Sequence, residues 1–253
     1  MKFPSLDTYL SLCTQVYDIS LPVPPADEYA FFTSYAQECT GPILEPMCGT
    51  GRFLLPMLKD GFDVEGFDAS KHMLQALRKK AADQNLASNV SFSFVANFES
   101  SKKYGLIFIP SGSFNLITDR KDIADALKKF YDLLLPGGKL VIEIITLAAT
   151  PQNPGAWRRE KWDRPQGGFI LVSAMEEPPI DNVNLTHCTH DLIVDGKVIL
   201  SEQETFKIRL YSQEEFNTLL NEAGFSKIAA IKAFNRSQQP ELSDKDIVFE
   251  CTK

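Results

Sequence analysis

Apolar positions along the chain follow two periods. Short, nearly continuous apolar runs occur at Ile43-Leu44, residues 62–68, residues 90–95, Tyr104–Pro110 and residues 139–146. Their length and their Gly, Pro or charged borders mark strands of a buried, largely parallel sheet. Between them apolar residues return every three or four positions. Residues 120–134 show this best, with Ile123, Ala126, Leu127, Phe130 and Leu134 on one helical face. The same spacing predicts a helix over residues 1–20, interrupted by Leu21-Pro22-Val23-Pro24-Pro25, and a second from near Asp27 with Tyr29, Phe31, Phe32 and Tyr35. Further helices are expected at 52–60 and after Ser70, an N-cap for the helix of Met73, Leu74 and Leu77. Leu135-Pro136-Gly137-Gly138 stops helix 120–134 ahead of the strand at 139–146.

Strand and helix cease to alternate after residue 146. A loop rich in Pro, Trp and Arg leads into three β-like runs at 168–176, 183–194 and 197–209, the last two joined by a hairpin signal, Asp195-Gly196. The α/β rhythm resumes with a helix at 212–223, a stop at Gly224, and strands near 225–234 and 246–252. The fold class is therefore α/β, a doubly wound, mostly parallel seven-stranded sheet with an antiparallel β insertion. Residues 1–146 and 211–253 form the main domain, with residues 1–40 as an N-terminal helical lid. Residues 147–210 form the insertion, which leaves the carboxyl edge of the sheet, where open α/β sheets bind ligands, and so is placed to cap a substrate.

Composition narrows the partners. The 253 residues have a formal net charge of -7, and Lys and Arg are dispersed, with no basic run longer than Arg78-Lys79-Lys80. That pattern argues against a nucleic-acid partner. No stretch of about 18 apolar residues predicts a membrane span, and Met1-Lys2-Phe3-Pro4-Ser5 lacks the apolar core of a signal peptide. Five cysteines without a CxxC pair read as reduced thiols of a cytoplasmic protein.

The chemistry starts at Ile43-Leu44-Glu45-Pro46-Met47-Cys48-Gly49-Thr50-Gly51-Arg52-Phe53, a strand ending in an acid, a two-glycine turn and a helix start. The next strand ends in Asp68, placed to bind ribose hydroxyls. A dinucleotide turn needs a third glycine where this chain has Leu54, and Glu45 would repel a diphosphate. The acid would instead attract a cation, and S-adenosylmethionine has an ammonium and a sulfonium and no phosphate.

These residues, in this order, resemble the class I S-adenosylmethionine-dependent methyltransferases, from about Tyr17 to the C-terminus. The likeness rests on Glu45 to Gly51, on Asp68-Ala69-Ser70-Lys71-His72-Met73-Leu74, on Asn97-Phe98, on Leu133 to Leu140, and on Arg209-Leu210-Tyr211-Ser212 with Ala223-Gly224-Phe225. It implies a Rossmann-like methyltransferase fold with S-adenosylmethionine as cofactor and S-adenosylhomocysteine as product. It further implies that Glu45, Met47, Gly49, Gly51, Asp68, Ala69, Met73, Asn97, Phe98, Ile109 and Pro110 hold the cofactor. Asn97 stands where the family more often has Asp, and Gly105 where the fourth strand commonly starts Phe-Asp. On the substrate side the candidates are Tyr17, as a lid residue, with Ser111, Ser113, Phe114 and Asn115 after the fourth strand.

The region after that strand lacks the Pro-Pro motif of aminopurine and amide N-methylation, the Pro-Cys of cytosine chemistry, and the acid of metal-dependent catechol-type enzymes. What remains is metal-independent, in-line methylation of a small-molecule nitrogen or oxygen, with no residue standing out as general base. Trp157, Arg158, Arg159 and Trp162 read as a loop anchor. His187 and His190 face opposite sides of an extended strand and so do not share a metal ion. An NAD(P)-dependent oxidoreductase and a non-catalytic S-adenosylmethionine-binding module are the alternatives.

Overall fold

The computed structural model describes residues 6–253; the first part of the helix expected at 1–20, and the leader reading of Met1 to Ser5, lie outside the described residues. The helices are α1 (Ser11–Ser20), α2 (Ala26–Glu38), α3 (Leu54–Lys59), α4 (Lys71–Asp83), α5 (Arg120–Leu133) and α6 (Gln213–Ala223). The strands are β1 (Ile43–Pro46), β2 (Val64–Asp68), β3 (Asn89–Phe92), β4 (Tyr104–Ile109), β5 (Leu134–Ile145), β6 (Trp157–Asp163), β7 (Phe169–Glu176), β8 (Val183–Val194), β9 (Lys197–Arg209), β10 (Ser226–Lys232) and β11 (Asp246–Thr252).

Seven strands form one sheet in the order β10-β11-β5-β4-β1-β2-β3, in which β11 runs antiparallel to both β5 and β10 and the remaining pairs are parallel. The near-continuous apolar runs follow from this, because the central strands are covered on both faces. One face packs Leu140, Ile142 and Ile144 against Phe114, Phe130, Phe216 and Phe249. The other packs Phe108, Val141 and Val248 against Phe31, Phe32, Tyr35 and Phe53. α2 thus packs its aromatic face into the core.

Local chemistry explains most boundaries. Ser70 accepts from the Met73 N–H at 3.2 Å, and Asp119 caps α5 by accepting from Lys121 and Asp122. Gly224 ends α6 in the left-handed conformation at φ 103°. α1 lacks a cap of its own, since the residue before it is Leu10. Glu202 and Glu204 of β9 supply the acceptors: Leu10 N–H donates to Glu204 at 2.7 Å, and Leu12 N–H and Ser11 Oγ donate to Glu202 at 2.7 and 2.8 Å. Two carboxylates at a helix N-terminus also complement its dipole.

Two elements differ from the sequence reading. β5 begins at Leu134, because the Leu135-Pro136-Gly137-Gly138 segment lies alongside the chain end: Gly137 N–H donates to Lys253 O at 3.1 Å and Lys253 N–H to Gly138 O at 3.0 Å. The expected loop around Trp157 is the edge strand β6 of the sheet β6-β7-β8-β9. Its side chains are almost all exposed, so no alternating pattern marks it. Asp195 and Gly196, at φ 50° and 74°, make the tight β8–β9 turn.

Candidate active site

β1 delivers its last residues to the carboxyl edge of the sheet, and the chain turns through Met47, Gly49 and Gly51, at φ 58°, 53° and 79°. The two glycines have different surroundings. A Cβ on Gly49 would meet nothing within 4 Å, whereas one on Gly51 would lie 2.9 Å from Leu77 and 3.0 Å from Leu55. Gly49 therefore presents bare backbone to open space, and Gly51 lets α4 pack against the turn. Leu54, where a dinucleotide loop has its third glycine, presses on Gly66 of β2; a Cβ there would lie 2.8 Å from the Leu54 side chain. The turn is bound to the end of β2, with Gly49 N–H donating to Asp68 Oδ2 at 2.8 Å and Ser70 N–H to Asp68 Oδ1 at 2.7 Å.

The electrostatics of this turn suit a cation. Glu45 is 3% exposed, and its Oε2 has no hydrogen-bond partner. Burial pushes its carboxyl well above the usual carboxylate range, with Arg52 opposing and Asp68 adding to the rise. Asp68 is raised as well, by burial, against the Ser70, Gly49 and Ala69 N–H groups. An orphaned buried carboxyl oxygen, a second acid raised by burial and an open glycine backbone fit a positively charged adenosyl ligand, and do not fit a diphosphate.

α1 closes one side of the turn. Asp18 accepts from Thr50 Oγ1 at 2.6 Å and from Lys80 Nζ at 2.7 Å. The Arg52 guanidinium stacks over the Tyr17 ring at 5.1 Å, and burial pushes the Tyr17 hydroxyl up to about 12.

At the neighbouring strand ends the candidate Ser111 meets Glu143 and Arg52, to which the sequence reading gave no role. Glu143 of β5, 6% exposed, accepts from the Ser111 N–H at 2.6 Å, and Arg52 donates to Ser111 Oγ. Ser111 itself is exposed and sits at φ 60°. Burial pushes the Glu143 carboxyl up to about 8; the Ser111 N–H and Arg52 oppose this, while Glu28 and Asp246 reinforce it. Glu28 and Asp246 are both raised by burial. Arg52 is 7% exposed and its Nε has no partner. Glu143 did carry a signal, as the single charge within the apolar run Leu140 to Ile145.

Other expected site residues have different surroundings. Phe114 is fully buried against Phe130 and Phe216. Asn115, also fully buried, donates to Ile145 O and Arg209 O and accepts from Ile145 N–H. Through these contacts both residues fix the loop after β4. Ser113 Oγ donates to Pro110 O at 2.9 Å and closes that turn, leaving Ser111 and Tyr17 of the expected set beside Arg52. Among the cofactor candidates, Ile109, Pro110 and Met73 are buried, Ala69 and Met47 are half-buried, and Asn97 is exposed. Phe98 stacks on Phe67 with ring centroids 4.1 Å apart. Trp157 is 60% exposed and Arg158 pairs with Glu176 at 3.3 Å. No helix among the described residues is long and apolar enough to cross a membrane.

Comparison with known proteins agrees with this geometry. A family profile described as a methyltransferase domain matches residues 43–138, which run from β1 to the start of β5. The Bacillus subtilis (strain 168) protein named "Putative methyltransferase YqeM" is 21% identical over 244 residues, covering 94% of each chain. An S-adenosylmethionine-dependent methyltransferase from Clostridium acetobutylicum ATCC 824 superposes with a TM-score of 0.78 at 18% identity, over 94% of this chain and 96% of that one. The sugar N-methyltransferase KedS8 from Streptoalloteichus sp ATCC 53650 superposes with a TM-score of 0.76 at 17% identity, over 100% and 98% of the two chains. The family profile gives residues 43–138 as a methyltransferase domain, and the seven-stranded fold of the whole chain is similar to that of S-adenosylmethionine-dependent methyltransferases.

Proposed function

We propose that the enzyme methylates an amine of a small molecule, with Glu143 as the group that receives the proton of the substrate ammonium. The supporting observation is the position of Glu143. It is buried at the carboxyl end of β5, bonded to the first residue after β4, and raised to a range where a carboxyl exchanges protons near neutrality. An ammonium has no lone pair and must lose a proton before it can attack. Glu28 and Asp246 add negative charge on the same side, which favours a cationic substrate over an anionic one.

When bound, S-adenosylmethionine supplies a methyl group already activated on a sulfonium, so the transfer calls for no metal. The residues of this chain bind, align and exclude water. In this reading Glu45, Met47 and Gly49 hold the methionine end, Asp68 and Ala69 the ribose, and Met73, Asn97 and Phe98 the adenine. Ile109 and Pro110 form the floor at the end of β4, and Gly51 serves by letting the turn pack on α4. Tyr17, stacked on Arg52, covers the reacting side, Ser111 orients Glu143, and the insertion at 147–210 roofs the substrate. The overall change is balanced: an ammonium and a sulfonium yield a methylated ammonium, a thioether and one released proton. KedS8, a sugar N-methyltransferase of the same fold, is compatible with an amine acceptor.

The test is methyl transfer from isotope-labelled S-adenosylmethionine into a panel of small amines, amino sugars included, and their hydroxyl analogues. Label on nitrogen is expected; label confined to oxygen would overturn the reading. Glu143→Gln is expected to lower turnover at least a hundredfold while S-adenosylhomocysteine affinity stays within about twofold.

A further inference from the structure

The insertion sheet bears a second group of ionisable side chains, outside the methyl-transfer site. Strand alternation puts Cys188 and His190 on the same face of β8, and their cross-strand partners on β9 are Glu204 and Glu202. α1 lies across this face and contributes Cys13. Cys13 Sγ, a His190 ring nitrogen and a Glu204 carboxylate oxygen all lie within 4.8 Å of one another. His190 and Glu204 are 3% and 4% exposed. His190 Nδ1 and Glu204 Oε2 approach to 3.1 Å, yet neither makes an aligned hydrogen bond, and the Cys13 thiol adjoins the Glu204 carboxylate as a hydrogen-bonding neighbour.

We infer that Cys13, His190 and Glu204 form a binding site for one zinc-class divalent cation, which fastens α1 to the insertion sheet. Two buried polar atoms that share a space without bonding each other want a common partner, and an adjoining thiol completes three donors. Thiolate with imidazole selects zinc-class ions over magnesium or calcium, which prefer oxygen ligands throughout. Donor atoms within 4.8 Å of one another come onto one ion at about 2.0–2.3 Å from each by small side-chain rotations. Three protein ligands leave a fourth position, and half-buried Cys188, directly across from Glu204, stands on that face. The Leu10 N–H bond to the other Glu204 oxygen fixes the carboxylate's orientation, as outer-shell partners of metal ligands do. On binding, Cys13 loses its thiol proton to solvent and forms the metal–sulfur bond, with no change of oxidation state. His187 takes no part: it points away from this face and contacts Glu177 at 2.5 Å and Thr205 at 3.2 Å.

The test uses the reduced full chain after chelator treatment, titrated with cobalt(II) alone. One cobalt per chain is expected, with the intense visible bands of a tetrahedral site and a thiolate charge-transfer band in the near ultraviolet, both abolished by one equivalent of zinc. Cys13→Ser should weaken the charge-transfer band at least twofold, and with Cys188→Ser added should remove it, and His190→Gln should weaken cobalt binding by about a hundredfold. Absence of saturable cobalt spectra in the wild-type chain would overturn the site, as would spectra unaltered in both variants. The wild-type titration decides the matter even if a variant folds poorly.

Discussion

At the residue scale, the glycine turn divides its work between two positions that the sequence makes look alike. Gly51 sits at φ 79° with Leu77 and Leu55 closer to the position of a Cβ than van der Waals contact allows, at 2.9 and 3.0 Å, and Gly49 faces open space. Gly51→Ala should therefore lower stability by roughly 1–3 kcal/mol through backbone strain and overpacking, read as a fall in Tm. Gly49→Ala should act mainly on S-adenosylhomocysteine affinity. Asp68→Ala should weaken that affinity at least tenfold by calorimetry, whereas Asp68→Asn, which keeps an acceptor for the Gly49 or Ser70 N–H, should retain more of the fold's Tm. The placement of Glu45 and Asp68 was legible in the sequence because it is local: an acid at a strand end beside a glycine turn. Arg52 and Glu143 were not, because their meaning depends on Ser111, which chain spacing alone does not bring to either of them.

At the element scale, long apolar strands and strongly periodic helices were legible, and elements defined by their partners were not. β6 is an exposed edge strand whose pairing with β7 leaves no hydrophobic alternation to read. α2 has the aromatic content of a core helix but follows a proline-rich break, which made it look like part of a lid. α1 shows the same dependence most clearly, since its N-terminal caps come from residues 202 and 204. Removing a cap costs about 1 kcal/mol, so Glu202→Ala should speed amide hydrogen exchange in residues 11–20 about fivefold. Exchange in α4, capped by its own Ser70, should be unchanged. Equal acceleration in both helices would mean that the substitution acts globally and not through the α1 terminus.

At the scale of the whole molecule, the candidate site buries acids whose ionisation opposes folding. Glu143, Glu45 and Asp68 are all raised by burial, so the folded chain keeps their protons to higher pH than the unfolded chain does. For Glu143 the window runs from about 4.3, where an unperturbed glutamate ionises, to about 8. Across that window the folded state binds more protons than the unfolded state, and stability falls as pH rises. Below it both states are protonated, and Glu143 has no ionisation cost in the fold. Glu143→Gln keeps the shape of the protonated acid and cannot ionise. Its Tm should match the wild type near pH 4, exceed it increasingly as pH rises, and reach a constant excess above about pH 8. The same variant should lose turnover, a pairing of gained stability with lost function that marks a functional buried acid and not a structural one. A Tm difference that did not change between pH 4 and 8 would show that Glu143 titrates alike in the folded and unfolded chains, and would remove the basis for assigning it the proton.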